Sequence, residues 1–335
     1  MRQARWTENG VEVAEAAPPP LLPDWVRLRV AACGICGTDL HLWRRELQAP
    51  VGLAPGHEIA GHPLDGPPGL DDGLYAVEPM AVCGVCDFCV SGRRHLCPSI
   101  AIIGVMRSGG LADFVDVPRY ALHRVHPSVS PLVASFAEPL AVGVRGVSLA
   151  NLADDSRVLV IGAGAIGLVS GLLARDRVRE VAITARHPQQ RDAAKRLGLT
   201  VLGEGDVRAW LGDAQPDVVI ETVGGHAQTL LDATRWCRPG GRIVVLGIFS
   251  KRAELSAYNL ATRELEIVGS NLYGMGRRGP QFRAAVDLLP RYATELAGMQ
   301  THQFRLDRIE DAFRAASEKQ SGAIKVTVVP GDPVA

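Results

Sequence analysis

The chain has 335 residues with 36 basic and 36 acidic side chains, so its formal net charge at neutral pH is zero. A protein that mainly covers nucleic acid or an anionic membrane would carry a basic surplus, and this balance excludes that class. With 47% apolar and 21% charged residues, the chain can bury a large core, which excludes disorder of the whole chain. The length predicts about two domains.

The first 135 residues consist mainly of short β-like runs separated by turn residues. Period-two alternation and β-favouring residues predict strands at Val26–Val30, Tyr75–Val77 and Ala112–Val117. Proline-rich stretches such as Pro18–Pro20 predict loops between such runs. This region is therefore expected to form an irregular, mostly antiparallel β domain, residues 1–135.

The pattern changes after about residue 135, where strands and helices alternate. The predicted strands are Arg157–Ile161, Glu180–Thr184, Asp217–Glu221, Arg242–Leu246 and Leu265–Gly269. The predicted helices are Ile166–Arg175, His187–Leu197 and Ala227–Cys237. This alternation is typical of a doubly wound parallel sheet, and we expect an α/β domain over residues 136–272.

The last part of the chain, residues 273–335, is expected to return to the β domain. Two amphipathic helices are predicted at Phe282–Leu296 and Ile309–Glu318, and a strand at Ala323–Val329. Chain termini often lie near each other, so this strand is expected to join the N-terminal sheet.

An uncharged run from Val158 to Ala174 approaches the length of a membrane span. Four glycines interrupt it, and its first residues favour a strand, so it is interpreted as a buried strand, a turn and a helix. No membrane partner is expected.

Seven cysteines are unusual in a chain of this length. Disulfide scaffolds are short and secreted, whereas the first five residues (MRQAR) lead into polar sequence rather than the apolar core of a signal peptide. Metal or redox chemistry in a reducing compartment is therefore expected, and the predicted location is the cytoplasm.

Four of these cysteines are closely spaced: Cys83, Cys86, Cys89 and Cys97. Four thiolates within 15 residues can surround one Zn²⁺ tetrahedrally and leave no position for water, so a structural zinc site is predicted. Two disulfides, an iron–sulfur cluster and a zinc ribbon for nucleic acid are the alternatives. The compartment, the spacing and the zero net charge respectively disfavour them.

A second, scattered set of metal-binding side chains comprises Cys36, His57, Glu58 and Glu138. Thiolate, imidazole and carboxylate suit a catalytic Zn²⁺ that keeps one open position. Cys36 can equally be a buried apolar thiol, and His57 a hydrogen-bonded turn residue. Glu138 lies in an apolar run and needs a partner, which a cation would supply. The spacing by itself does not decide whether these four residues form a metal site.

A glycine motif, Gly162-x-Gly164-x2-Gly167, follows a predicted strand and begins a helix. In that context it predicts a turn that binds the pyrophosphate of a dinucleotide. In sites that bind NAD, an acidic residue at the end of the second strand hydrogen-bonds the ribose 2′-OH. Here that position holds Ala185, and Arg186 follows it. An arginine can meet a 2′-phosphate, so NADP is favoured, with NAD as the alternative and a solvated surface role for Arg186 left open.

Together these motifs resemble the zinc-containing medium-chain alcohol and polyol dehydrogenases, over nearly the whole chain. The nearest likeness is to the sorbitol-, threonine- and glucose-dehydrogenase branch. The segments that show this resemblance are Cys36–His41, Gly56–Glu58, the four-cysteine lobe, Glu138–Pro139, the Gly162 turn, Leu246–Ile248 and Ile324–Val326. The resemblance implies a GroES-like catalytic zinc-binding domain beside a Rossmann domain.

The resemblance also implies roles for individual residues. Cys36 and His57 would bind the catalytic zinc, completed by Glu58, by Glu138 or by each in turn. Thr38 would take the substrate proton and His41 would pass it on, while Lys325 would pair with Glu58 when that glutamate leaves the metal. The implied cofactor-binding residues are Gly162, Gly164, Ile166, Gly167, Arg186, Arg191, Leu246, Gly247, Ile248, Leu272 and Tyr273.

The expected activity is reversible oxidation of a secondary alcohol of a polyol, sugar or related molecule to a ketone or aldehyde, with hydride transfer to NAD(P). Two zinc ions per chain and a homodimer or homotetramer are implied. A threonine 3-dehydrogenase-like activity is the alternative within enzymes, and a non-catalytic zinc- or nucleotide-binding sensor is the alternative from another class. The sequence departs from the family at Ala185 and in a short stretch between Glu58 and Cys83.

Overall fold

The structure of the protein is a computed structural model that describes residues 1–203, 205–212, 214–277 and 279–331. The strands are β1 Arg2–Thr7, β2 Gly10–Glu15, β3 Trp25–Gly34, β4 Glu58–Asp65, β5 Tyr75–Val77, β6 Met80–Ala81, β7 Ala101–Ile102, β8 Phe114–Pro118, β9 Leu122–Arg124, β10 Arg157–Ile161, β11 Glu180–Thr184, β12 Thr200–Leu202, β13 Val218–Glu221, β14 Arg242–Val245, β15 Glu266–Gly269, β16 Met275–Gly276, β17 Gly279–Pro280, β18 Gln300–Arg305 and β19 Lys325–Val329. The α-helices are α1 Gly37–Trp43, α2 Asp87–Val90, α3 Pro131–Ala134, α4 Ala137–Ala150, α5 Ala165–Arg175, α6 Pro188–Arg196, α7 Asp206–Leu211, α8 Thr229–Trp236, α9 Ala257–Thr262, α10 Gln281–Leu288, α11 Ala293–Met299 and α12 Ile309–Ser317.

The chain divides into two compact units. The first comprises Met1–Glu138 and Arg277–Ala335, and the second comprises Pro139–Gly276. The chain therefore leaves the first unit once and returns to it. The two crossings lie three and four residues beyond the boundaries that the sequence predicts, after residues 135 and 272.

The first unit is built on a seven-stranded sheet. Its order is β18-β19-β3-β4-β5-β9, with β8 also pairing with β3. All pairs are antiparallel except β18 with β19, as expected for a mostly antiparallel domain. The C-terminal strand β19 pairs with β3, Thr327 lying opposite Gly34, so the last strand is part of this sheet. Trp6 and Phe313 are buried beneath this sheet, with ring centroids 5.4 Å apart.

One predicted helix in the first unit is wrong in its extent. The sequence analysis predicts a single helix over Phe282–Leu296, but the structure has two, α10 and α11. Pro290 lies between them. Proline has no N–H to donate and its ring clashes with the preceding turn, so a helix cannot continue through it without a kink.

The second unit is a parallel sheet of six strands in the order β12-β11-β10-β13-β14-β15. This is the Rossmann order 3-2-1-4-5-6, in which the strand order reverses beside the first strand. The core around the sheet includes Leu159, Ile161, Val219 and Ile243. The predicted α/β doubly wound class is therefore confirmed. The sequence analysis missed β12, which has only three residues and too little pattern to detect.

One helical stretch, Pro131–Ala150, is long and apolar enough to cross a membrane on length and composition alone, with a mean hydropathy of 1.4. Two-thirds of it is buried inside the protein, as in the core helix of a folded domain. The uncharged run at 158–174 forms β10, a turn and α5, as predicted from its glycines.

Candidate metal and dinucleotide sites

The ends of two antiparallel strands bring the first metal-binding group together. Glu58 begins β4 opposite Gly34, the last residue of β3, and Cys36 follows as the N-cap of α1. Ligand atoms of Cys36, His57 and Glu58 all lie within 4.8 Å of one another. Ligand atoms on one tetrahedral Zn²⁺ lie roughly 3.4–3.8 Å apart, so these three side chains can meet at one ion with only small movements.

Glu58 also contacts a buried cation. The Nζ of Lys325, on β19, forms an ion pair with Glu58 Oε2 and donates to the carbonyl of Ile35 at 3.3 Å. Burial lowers the pKa of Lys325 to about 8. A side chain at Gly34 would overlap the Glu58 carboxylate and lie 2.9 Å from Lys325 Nζ, so the absence of a Cβ there leaves room for this pair.

Glu138 is buried at the start of α4 but is not part of the group of three ligand atoms. Burial raises the pKa of Glu138 to about 7, and the charge of His57 opposes that shift. Glu138 is therefore within electrostatic reach of His57, while Glu58 is the carboxylate in the group with Cys36 and His57.

Asp39 is a member of this site that the sequence analysis quoted in a motif but gave no role. It is fully buried on α1, accepts from the backbone N–H of Cys36 at 2.9 Å, and its Oδ1 lies 3.8 Å from His57 Nδ1. The sequence signal that could have identified it is a carboxylate three residues after Cys36, whereas its burial is known only from the structure. An acid that hydrogen-bonds to a ligand histidine orients the ring, and at 3.8 Å Asp39 lies just beyond that distance.

The cluster carries an excess of negative charge. Burial alone would lower the pKa of His57, but the charges of Cys36 and Asp39 outweigh it and raise that pKa to about 10. A divalent cation would balance this excess and would have to displace the proton from His57 to bind.

The two predicted proton-transfer residues, Thr38 and His41, lie on one face of α1, three positions apart. The Thr38 hydroxyl is 3.9 Å from Cys36 Sγ. His41 Nδ1 lies 2.5 Å from Glu46 Oε2, so Nε2 is the ring nitrogen that remains for transfer. Glu46 is a second residue that the sequence analysis missed, since no motif marks it.

The four cysteines of the second metal-binding group also converge. Their Sγ atoms lie within 4.8 Å of one another, Cys83 being 3.6 Å from Cys97 and 3.9 Å from Cys89. Sulfurs on one tetrahedral Zn²⁺ lie about 3.8 Å apart, whereas a disulfide needs about 2.05 Å.

The surroundings of Cys83 and Cys89 differ. Backbone N–H groups of Val85 and Cys86 lower the pKa of Cys83 to about 6, and burial raises that of Cys89 to about 12. Thiolate is the form that binds metal, so Cys83 is ready to bind and Cys89 must lose its proton to a metal. The four-cysteine lobe fits a closed zinc site.

The glycine turn lies between β10 and α5 in the second unit. Gly162 has φ +99°, and a Cβ at Gly167 would overlap the carbonyl oxygen of Gly162, so both positions require glycine. Gly164, the N-cap of α5, has no atom within 4 Å of where a Cβ would stand. Ile166 is in the first turn of the helix, whose free N–H groups can receive a phosphate.

The residues predicted to select the cofactor follow β11. Ala185 is buried and Arg186 is exposed. Arg191, on α6, donates through Nε to the carbonyl of Ala185 at 3.0 Å. No carboxylate stands at the end of β11; Arg186 follows it in the chain, and the side chain of Arg191 reaches it from α6.

The remaining predicted cofactor residues follow β14 and β15. Leu246 is buried and Ile248 is half exposed, with Gly247 between them. Leu272 has a positive φ of 52°, which is strained for a leucine, and Tyr273 is fully buried.

Comparisons with known proteins match both units. A family described as an alcohol dehydrogenase GroES-like domain matches residues 22–127, and one described as a zinc-binding dehydrogenase matches residues 165–291.

Among curated proteins, the chain is 30% identical over 264 residues to an L-galactonate-5-dehydrogenase of Escherichia coli (strain K12), covering 72% of this chain and 74% of that protein. It is 28% identical over 333 residues to an L-threonine 3-dehydrogenase of Sinorhizobium medicae (strain WSM419), covering 95% of each. Among solved structures, a zinc-binding dehydrogenase of Sinorhizobium meliloti 1021 bound to NADP is 30% identical, with a TM-score of 0.88 over 98% of this chain and 99% of that one.

Proposed function

Because the chain belongs to the zinc-containing medium-chain alcohol and polyol dehydrogenases, we propose that it oxidises a secondary alcohol of a polyol or sugar-like molecule reversibly, with NADP as hydride acceptor. The protein is an oxidoreductase of the zinc- and NAD(P)-dependent type. The observation that carries the proposal is the convergence of Cys36, His57 and Glu58 within 4.8 Å, in a chain that also has a Rossmann sheet.

The residues of the first unit would bind the metal and move the proton. Cys36 and His57, with Glu58 or Glu138, would hold the catalytic zinc, which supplies Lewis acidity while the nicotinamide accepts the hydride. Thr38 would accept the proton of the substrate hydroxyl as it passes its own proton toward His41.

The remaining groups would keep this relay in place. His41 would receive the proton at Nε2, because Glu46 occupies Nδ1 at 2.5 Å. Lys325 would pair with Glu58 when that carboxylate leaves the metal, and the two side chains already form an ion pair while Glu58 lies in the ligand group.

The direct test removes one ligand of the catalytic zinc. We expect Cys36→Ser to lose most turnover and one zinc per chain while folding normally. Cys237→Ala, which removes a buried thiol far from both clusters in sequence, is the control and should keep turnover. Undiminished turnover of Cys36→Ser would contradict the proposal.

The preference for NADP rests on Arg186 and on the lack of an acid at Ala185. The solved relative that binds NADP supports it. We expect Arg186→Ala to lower affinity for NADP by about 1.5–3 kcal/mol of charge-assisted hydrogen bonding and to leave NAD affinity unchanged. An unchanged ratio of the two affinities would mean that Arg186 does not read the 2′-phosphate.

A threonine 3-dehydrogenase-like activity is the second candidate, since relatives with that name match 95% of the chain. A substrate panel followed at the nicotinamide absorbance distinguishes the two. Turnover of polyols or sugar acids without turnover of L-threonine supports the first, and the reverse result supports the second.

The four-cysteine lobe, Cys83–Cys97, would hold the second zinc in a structural role.

We further propose a cytoplasmic homodimer or homotetramer, with no nucleic-acid or membrane partner. Light scattering of the purified protein would measure the molar mass, and a monomer at micromolar concentration would contradict this part.

A further inference from the structure

We propose that Glu221 places a buried negative charge beside the nicotinamide side of the dinucleotide site, and thereby favours the oxidised, positively charged cofactor over the neutral reduced form. This inference rests on the proposed function, because it requires that the second unit binds NAD(P). Glu221 is not among the residues to which the sequence motifs assign a role.

Glu221 is the last residue of β13, in the interior of the parallel sheet between β10 and β14. It is fully buried. In sheets of this topology, ligands bind outside the carboxyl ends of the strands, which is the end that Glu221 occupies.

One carboxylate oxygen of Glu221 accepts three hydrogen bonds. Oε1 receives the N–H of Val223 at 2.8 Å, the N–H of Gly224 at 3.1 Å and the hydroxyl of Thr229 at 2.7 Å. An ionised carboxylate is acceptor-only, and an oxygen that receives three donors is acting as an acceptor.

The other oxygen, Oε2, is buried without a hydrogen-bond partner. It lies against Gly247, where a Cβ would overlap it. Among the residues that the structure describes, Glu221 forms no ion pair. Its charge is therefore not cancelled by a neighbouring cation of the chain.

The main chain of Glu221 contacts the same segment. Its carbonyl accepts from the N–H groups of Leu246 at 2.8 Å and Gly247 at 3.1 Å. The next loop is tied to that segment as well, since Gly225 donates to the carbonyl of Ile248 at 2.7 Å. The carboxylate thus lies against Gly247, in the half of the sheet formed by β13, β14 and β15. In a Rossmann sheet the acid or arginine that follows the second strand marks the adenosine half, so this other half is the one that would hold the nicotinamide.

The physical consequence follows from the charge of the cofactor. The nicotinamide ring carries a positive charge when oxidised and none when reduced, so a nearby fixed negative charge stabilises only the oxidised form. Burial strengthens this interaction, because water does not screen it. Both forms carry the same phosphates, so Glu221 would raise the affinity for the oxidised cofactor relative to that for the reduced one.

The test uses the zinc-loaded protein and compares dissociation constants for NADP and NADPH, by calorimetry and by fluorescence titration. We expect Glu221→Gln to weaken NADP binding by roughly tenfold relative to NADPH, because the amide removes the unit charge and keeps the size of the side chain. Thr229→Val is the matched control, since it removes one donor and keeps the charge, and it should leave the ratio unchanged.

Two outcomes would overturn the inference. An unchanged ratio in Glu221→Gln would mean that the charge does not reach the ring, and equal weakening of both forms would mean that Glu221 only supports the loops. Glu221→Asp gives an independent check if the glutamine variant does not fold, because it keeps the charge and should keep the ratio. If the wild-type protein bound neither dinucleotide, the proposed function itself would fail.

Discussion

Asp39 shows how much of the metal site depends on a residue that is not itself a ligand. It holds the backbone of Cys36 through a 2.9 Å hydrogen bond and faces the ring of His57. Burial raises the pKa of Asp39, while the charge of His57 and the N–H groups of Cys36 and Gly56 oppose that rise. One carboxylate thus contacts both segments that supply the zinc ligands.

We therefore predict that Asp39→Asn lowers zinc affinity at the catalytic site by about 10- to 100-fold, the usual effect of losing an outer partner of a ligand histidine. Zinc retained during dialysis against a graded series of chelators measures this. Asp65→Asn, at the exposed end of β4, is the control and should retain zinc like the wild type. Equal retention in both variants would show that the charge of Asp39 does not support His57.

Gly34 provides a second prediction at this scale, because its lack of a side chain leaves room for the pair of Glu58 and Lys325. Gly34→Ala should destabilise the fold by about 1–3 kcal/mol through overpacking of a buried pair. Gly298→Ala in α11, where a Cβ meets nothing within 4 Å, should be neutral or slightly stabilising. Urea denaturation of both variants gives the comparison, and equal stabilities would contradict the reasoning.

At the scale of the elements, the turn between β10 and α5 contains glycines that are needed for two different reasons. Gly162 and Gly167 are required by the backbone, since one has a positive φ and the other has no room for a Cβ. Gly164 has an ordinary φ of −77° and open space beside it. The fold itself therefore does not require glycine at 164, whereas the approach of a pyrophosphate would.

The two glycines should respond differently to the same substitution. Gly167→Ala is expected to lower the melting temperature by several degrees, because a domain of this size loses about 2–4 °C per kcal/mol. Gly164→Ala should keep the melting temperature and lose dinucleotide affinity instead. Thermal unfolding and cofactor titration of both variants measure this, and loss of stability in Gly164→Ala would count against the assignment.

For the molecule as a whole, the two metal-binding clusters come from separate stretches of sequence. Cys36, His57 and Glu58 lie at the ends of β3 and β4, whereas the four cysteines lie in a single lobe between β6 and β7. They share no residue, so each should bind its metal without the other.

The wild-type protein is therefore expected to contain two zinc ions per chain, and Cys36→Ser and Cys89→Ser one each. Cys89→Ser should also lower the unfolding temperature, because a structural zinc contributes to folding directly. Metal analysis with a thermal scan of the three proteins measures both quantities. If Cys89→Ser lost turnover alone and kept its stability, the structural role of the lobe would be wrong.

The amino-acid sequence by itself determined the fold class, the four-cysteine lobe and the glycine turn. These features are local, since spacing along the chain or hydrophobic periodicity already contains the information. The strands Arg157–Ile161 and Glu180–Thr184 are predicted to the residue for this reason.

The tertiary structure decided those features of the sites that depend on contacts between distant segments of the chain. The antiparallel register of β3 with β4 brings Cys36 to His57 and Glu58, and the return of β19 brings Lys325 to Glu58. The buried environments of Asp39 and Glu221 likewise exist only once distant segments have packed around them. A carboxylate has no fixed role in a sequence pattern, because its charge matters through the burial and the neighbours that folding supplies.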